Sequence, residues 1–252
     1  MFARRLVRSF SQSQPIELGY YNIKGLLEPS RWICHHYKLD FVEWHPKSDQ
    51  DWEIKKNELG PMASLPYLKD GDFILNETTN IPRCIPYYLA HKAGHPEFMG
   101  EDGKERAEMR MLESMLDDIR VHCFDIIKQG PGFDHKAALK QLFDKSGPAY
   151  KKIAYLSDKL GDKEFFFNHL TWLDFMMQFT TRFTSAIMYS QFGYTPYADF
   201  PNIVALLARV SNLDGVKKRL DFAQPIPYLD QKTVPFNLMT FKAMIDAGLK
   251  PI

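Results

Sequence analysis

Apolar and polar residues change their period partway along the chain. Ile16-Glu17-Leu18-Gly19-Tyr20-Tyr21-Asn22-Ile23 reads as a short strand that ends in a loop at Lys24-Gly25. Pro29 then starts a helix at a tolerated first-turn position, through about Tyr37. Phe41-Val42-Glu43-Trp44 predicts a second strand. A polar segment follows, with a helical turn that carries Trp52 and Lys56. Leu65-Pro66-Tyr67-Leu68 and Phe73-Ile74-Leu75 flank the turn Lys69-Asp70-Gly71-Asp72, the pattern of a hairpin. A further helix is predicted to about Lys92. The order is β-α-β followed by β-β-α.

Gly94 to Gly103 is rich in Gly, Pro and acids and reads as a linker. Beyond it the period becomes helical. Met109, Leu112, Leu116, Ile119, Cys123 and Ile126 recur at helical spacing, the core face of one long amphipathic helix. A second helical region spans about Lys136 to Leu160, with Pro148 kinking or dividing it. Thr171-Trp172-Leu173-Asp174 opens a third. Its threonine can accept from an N3 amide while its aspartate answers the cap's own amide, and Leu170 can staple onto Phe175. Another helix follows Phe200-Pro201, from about Asn202 to Val210. The expected organisation is an α/β domain over 15–93, a linker over 94–103, an all-helical domain over 104–224 and a C-terminal extension over 225–252.

Composition narrows this picture without changing it. The 252 residues are 45% hydrophobic, 25% charged and 14% aromatic, a globular mix that excludes disorder, collagen and a disulfide-stapled miniprotein. A net charge of +1 argues against a nucleic-acid partner. No apolar run reaches the length of about 18 residues that a membrane-spanning helix needs. Cys34, Cys84 and Cys123 are widely spaced, which fits a reducing compartment and offers neither a disulfide framework nor a zinc site. Cys34, His35 and His36 point about 100° apart in turn on a helix, so they cannot converge on one ion, and no metal is expected. Residues 1–14 stand apart. Arg4, Arg5 and Arg8 oppose Phe2, Leu6, Val7 and Phe10 on a helical wheel, serines follow, and acids are absent. That reads as a mitochondrial transit peptide, which predicts a location in the matrix or on the matrix side of the inner membrane; the plainer reading is a frayed basic tail.

Several stretches, in order, resemble the glutathione transferases, most closely the mu class. They are Leu18 to Leu26 (Leu-Gly-Tyr-Tyr-Asn-Ile-Lys-Gly-Leu), Trp52 with Lys56, Ser64 to Gly71, Leu112-Glu113-Ser114, Thr171 with Asp174, and Asp199 to Asn202. The resemblance covers about Glu17 to Phe222. It implies a thioredoxin-like α/β domain joined to an all-α domain, with glutathione as co-substrate and no permanently bound cofactor. Such a protein conjugates the glutathione thiolate to hydrophobic electrophiles, usually as a homodimer.

A free thiol has a pKa of about 8.5, so a donor that stabilises the thiolate raises reactivity at neutral pH. Tyr20 resembles the catalytic tyrosine, whose neutral phenol donates to the sulfur; read alone, it is an ordinary strand aromatic. The resemblance assigns the cysteinyl backbone to Leu65 and Pro66 through a cis-proline turn, and the glycyl carboxylate to Trp52 and Lys56. Read alone, these are a hairpin proline and a surface pair. Tyr21 stands where the family has a tryptophan, and Leu26 and Ser64 align with further glutathione contacts. Glu77 and Thr78 align with the acid and hydroxyl that hold the γ-glutamyl group. Asp118 aligns with an acid that reaches the partner subunit's glutathione, although Asp117-Asp118 alone reads as a solvated helix face. Departures accompany the match. Pro82 can occupy the slot of an amide donor, and Pro86 is expected to disturb the same helix. The aromatic dimer key before Ser64 is replaced by Pro61-Met62-Ala63, and Lys128 stands at the second pocket tyrosine. A second reading follows from them: a catalytically silent accessory subunit of a larger mitochondrial, respiratory-chain-type complex.

Overall fold

The computed structural model describes residues 14–76 and 83–220. The expected transit segment, Glu77, Thr78, Pro82 and the extension over 225–252 lie outside the described residues.

The strands β1 (Ile16–Gly19), β2 (Phe41–Trp44), β3 (Tyr67–Asp70) and β4 (Phe73–Asn76) form one mixed sheet in the order β2-β1-β3-β4. β1 runs parallel to β2 and antiparallel to β3, and β3 pairs antiparallel with β4. The parallel pair needs a crossover, supplied by α1 (Glu28–His36). β1 stops four residues earlier than its alternation predicts. Tyr20 still donates to the Trp44 carbonyl at 3.1 Å, but β2 ends there, and the chain turns back as Ile23 donates to the Tyr21 carbonyl. A strand cannot outlast its partners.

α2 (Asp49–Leu59) is N-capped by the Ser48 hydroxyl, which accepts from the Asp51 amide at 3.1 Å, and ends at Gly60 with φ +98°. α3 (Cys84–Lys92) contains Pro86 without disturbance. Pro86 sits in the first turn, where an amide has no intrahelical acceptor, and the first helical bond is made by the next residue, Tyr87, to Arg83.

The remainder is helical: α4 (Gly103–Ile127), α5 (His135–Phe143), α6 (Pro148–Leu160), α7 (Trp172–Phe192), α8 (Pro201–Asn212) and α9 (Asp214–Leu220). Pro148 divides the region over 136–160 rather than kinking it, by standing first in α6. The Thr171–Asp174 capping box is present. From Trp172 to Tyr189 every residue of α7 is buried, which marks it as the central helix. It packs against α1, α4 and α8, so one core continues from sheet layer to helical layer. α9 was not legible in the chain's pattern. It lies against α1 so closely that a Cβ on Gly215 would stand 2.1 Å from the His36 amide nitrogen. No described helix is long and apolar enough to cross a membrane.

Candidate active site

The site is built on the end of the sheet where β1 and β2 finish and β3 begins. Gly19 pairs with Tyr67, so the next positions, Tyr20 and Pro66, face each other across the sheet end. The Leu65–Pro66 peptide is cis. His45 fixes the Tyr20 backbone through a hydrogen bond of 2.9 Å between its Nδ1 and the Tyr20 carbonyl.

Tyr20 is 8% exposed. Its hydroxyl accepts from the Leu26 amide at 3.4 Å, which leaves the phenolic proton free to donate elsewhere. Burial pushes the phenol above its usual range; the Leu26 hydrogen bond and the charge of Arg31 oppose that rise. The group is therefore a neutral donor at physiological pH. The turn that presents Leu26 requires Gly25. Its φ is +43°, and a Cβ there would lie 2.5 Å from a Tyr20 ring carbon and 2.8 Å from the hydroxyl.

A buried charge network holds this turn. Arg31, 1% exposed, donates from Nη1 to the carbonyls of Ile23 and Lys24 at 2.9 and 3.0 Å. Its charge is balanced by Glu28 at 3.1 Å and Glu43 at 2.7 Å. Arg219 of α9 reaches the same two acids at 3.1 and 3.3 Å. The two helices and one strand that carry these residues, α1, α9 and β2, are thus tied beneath the Tyr20–Leu26 contact. Sequence reasoning missed Arg31, Gly25 and His45. The spacing of Glu28 and Arg31 was the one available signal, because i,i+3 residues share a helix face.

The other expected residues divide into two groups. Trp52 is half-buried, with its ring 6.2 Å from that of Trp44 at the end of β2, so it belongs to the same corner of the sheet. Tyr21 is 51% exposed and meets Tyr20 edge-on at 5.6 Å. Ser64 and Leu65 are half-buried ahead of β3. The charged residues turn elsewhere. Lys56 pairs with Glu53 at 2.6 Å, and its ammonium stands 5.6 Å from the Trp52 ring centre. Asp118 pairs with Lys152 of α6 at 2.6 Å. Lys128 is exposed at the end of α4, with its ammonium 4.4 Å from the Phe124 ring centre.

A second charged cluster lies between α3 and α4. Glu113 is fully buried and accepts from Trp172 Nε1 at 2.8 Å and Arg110 at 3.0 Å, with Arg83 at 3.1 Å. Asp117 meets Arg120 at 3.3 Å and Arg83 at 3.6 Å. Burial pushes the Asp117 carboxyl up to about 6; Arg120 opposes the rise and Glu113 adds to it.

No protein-family model matches the chain. Among curated proteins, a class-mu 26 kDa glutathione S-transferase isozyme from Schistosoma japonicum is 30% identical over 221 residues, covering 84% of this chain and 90% of the relative. Glutathione S-transferase Mu 1 from Mus musculus is 28% identical over 213 residues, covering 81% and 88%. Among solved structures, rat hPGDS complexed with a quinoline superposes with a TM-score of 0.66 at 21% identity, over 85% of this chain and all of that one. That likeness fixes the fold, and the identity across most of both chains fixes the lineage: the chain belongs to the glutathione S-transferase family and has mu-class relatives.

Proposed function

We propose that the protein binds glutathione at the sheet end and transfers its thiolate to hydrophobic electrophiles. The observation that carries this reading is the Tyr20 hydroxyl, held by the Leu26 amide with its own proton left to donate. A hydrogen bond to sulfur favours the thiolate and lowers the thiol pKa from about 8.5. The thiol proton passes to solvent, the sulfur lone pair forms the new bond to the electrophilic carbon, and the electron pair of the breaking bond departs with a leaving anion or moves to a neighbouring atom that takes a proton from solvent. In this reading Leu65 pairs with the cysteinyl backbone as an added strand would. Trp52 and Lys56 take the glycyl carboxylate, and Tyr21, Leu26, Ser64 and Pro66 line the peptide. Lys56 must leave Glu53 to do so, a small cost for an exposed pair.

The test is Tyr20→Phe. Losing one hydrogen bond to a charged group costs about 1.5–3 kcal/mol, so kcat/KM should fall about 10- to 150-fold. Glutathione affinity, read by calorimetry, should change little. Unaltered turnover would remove Tyr20 from the chemistry.

A second reading, a silent accessory subunit of a mitochondrial complex, is favoured by one observation. Among the described residues, the two charged side chains expected to reach glutathione, Lys56 and Asp118, are paired within the chain. Calorimetry separates the two: an absence of saturable glutathione binding removes the enzyme. Co-migration with a detergent-solubilised mitochondrial complex tests the alternative directly.

A further inference from the structure

Three metal-competent side chains converge from two parts of the chain. Glu101 precedes α4, Glu105 lies in its first turn, and His169 lies in the loop before α7. One donor atom from each stands within 4.8 Å of the other two. His169 Nε2 is 3.2 Å from a Glu105 oxygen and 3.2 Å from the Glu97 backbone carbonyl, and Nδ1 is 3.7 Å from Glu101. They stand at the wall of a cavity of about 280 Å³ that Lys163, Phe166, Phe167 and Asn168 complete.

The local cations do not neutralise this set. Lys163 donates to the Phe166 carbonyl at 2.8 Å. Arg106 donates to the carbonyls of Gly100 and Glu101 at 3.0 and 3.3 Å. Among the described residues, neither the Glu101 nor the Glu105 carboxylate pairs with a lysine or arginine. Two carboxylates and an imidazole therefore converge with no lysine or arginine paired to the acids, an arrangement that a divalent cation matches.

We propose that Glu101, Glu105 and His169 form a Zn²⁺ site that staples the loop before α7 to the start of α4. One imidazole nitrogen and two carboxylate oxygens suit a borderline ion, with water from the cavity completing a tetrahedron. Ligands about 2.1 Å from zinc stand about 3.4 Å apart, and the His169–Glu105 pair is already near that spacing; binding at Nε2 replaces its hydrogen bond to the Glu97 carbonyl. Closing the third edge requires movement of Glu101, whose side chain is 64% exposed and free to rotate. This site is independent of glutathione chemistry.

The experiment is calorimetric titration of the full, tag-free chain with Zn²⁺ alone in a non-chelating buffer. Glu101→Gln and His169→Gln are compared with Cys84→Ser, which removes the one exposed thiol among the described residues. The expected result is one saturable site, unchanged in Cys84→Ser and weakened at least about tenfold in both ligand variants, since even outer-shell changes cost about 10–100-fold. Glu101→Gln keeps the test decisive if His169→Gln fails to fold, because the Glu101 side chain is exposed. No saturable binding, binding unchanged in either folded ligand variant, or binding lost in Cys84→Ser would overturn the proposal.

Discussion

The two buried charge clusters flank the candidate site and are built differently. Under Tyr20, both Arg31 and Arg219 touch both acids, Glu28 and Glu43, and Arg31 also satisfies two backbone carbonyls. Between α3 and α4, three arginines stand near Glu113 and Asp117, yet one buried Asp117 oxygen has no hydrogen bond. Asp117 is accordingly driven up to about 6. The comparison shows that proximity of opposite charge is insufficient. At Asp117 burial is the largest influence and Glu113 adds to it, so desolvation prevails over the nearby arginines.

The largest expected effect comes from breaking the well-paired cluster. Arg31→Met leaves Arg219 as the one guanidinium on Glu28 and Glu43 and frees the Ile23 and Lys24 carbonyls. Removing one partner of a buried network typically costs about 3–5 kcal/mol, measurable by urea denaturation. A loss below about 1 kcal/mol would show that the network contributes little.

The second cluster should respond to pH. Asp117 has a folded pKa raised from 3.8 to about 6, so its contribution to stability is full below the unfolded value and lost as pH rises through about 6. Asp117→Asn keeps a neutral side chain throughout. The variant should match the parent near pH 4 and gain about 1–3 kcal/mol on it by pH 7. Parallel stability curves across that window would mean that the arginines already neutralise Asp117.

Gly25→Ala probes the hinge between network and site. Left-handed backbone and a Cβ against the Tyr20 ring should cost about 1–2 kcal/mol of stability. The substitution should also displace the Tyr20 hydroxyl, lowering kcat as Tyr20→Phe does. Normal turnover in a correctly folded variant would detach the Leu26 clamp from catalysis.

Lys56→Ala should have the smallest effect on stability, below about 1 kcal/mol, since its pair with Glu53 is exposed. Glutathione affinity should nevertheless fall while the bound thiol's pKa, followed by thiolate absorbance, stays constant. A shifted thiol pKa with intact affinity would move Lys56 next to the sulfur.

The chain's own pattern determined what depends on neighbours in sequence. The two hydrophobic periods predicted the order β-α-β, β-β-α and then helices. Short-range spacing predicted the Thr171–Asp174 cap, whose carboxylate accepts from the Thr171 amide at 2.8 Å and the Phe166 amide at 3.1 Å. Tyr20, Trp52 and Leu65-Pro66 could be named as candidates because they lie in motifs of a few residues. The tertiary structure decided everything that pairs across the chain. β1 ends at Gly19 because β2 ends at Trp44, which alternation within β1 cannot reveal. Arg219 lies in a helix of seven residues with too little apolar period to be seen, yet it closes the network on Glu28 and Glu43. Lys56 and Asp118 were expected at glutathione from their positions alone. The side-chain partners they hold, Glu53 and Lys152, follow from which charges the folded surface brings within reach. Local period reports the cost of burying each residue's own side chain. Charge pairing reports distances set by the whole fold, and these are absent from any window of sequence.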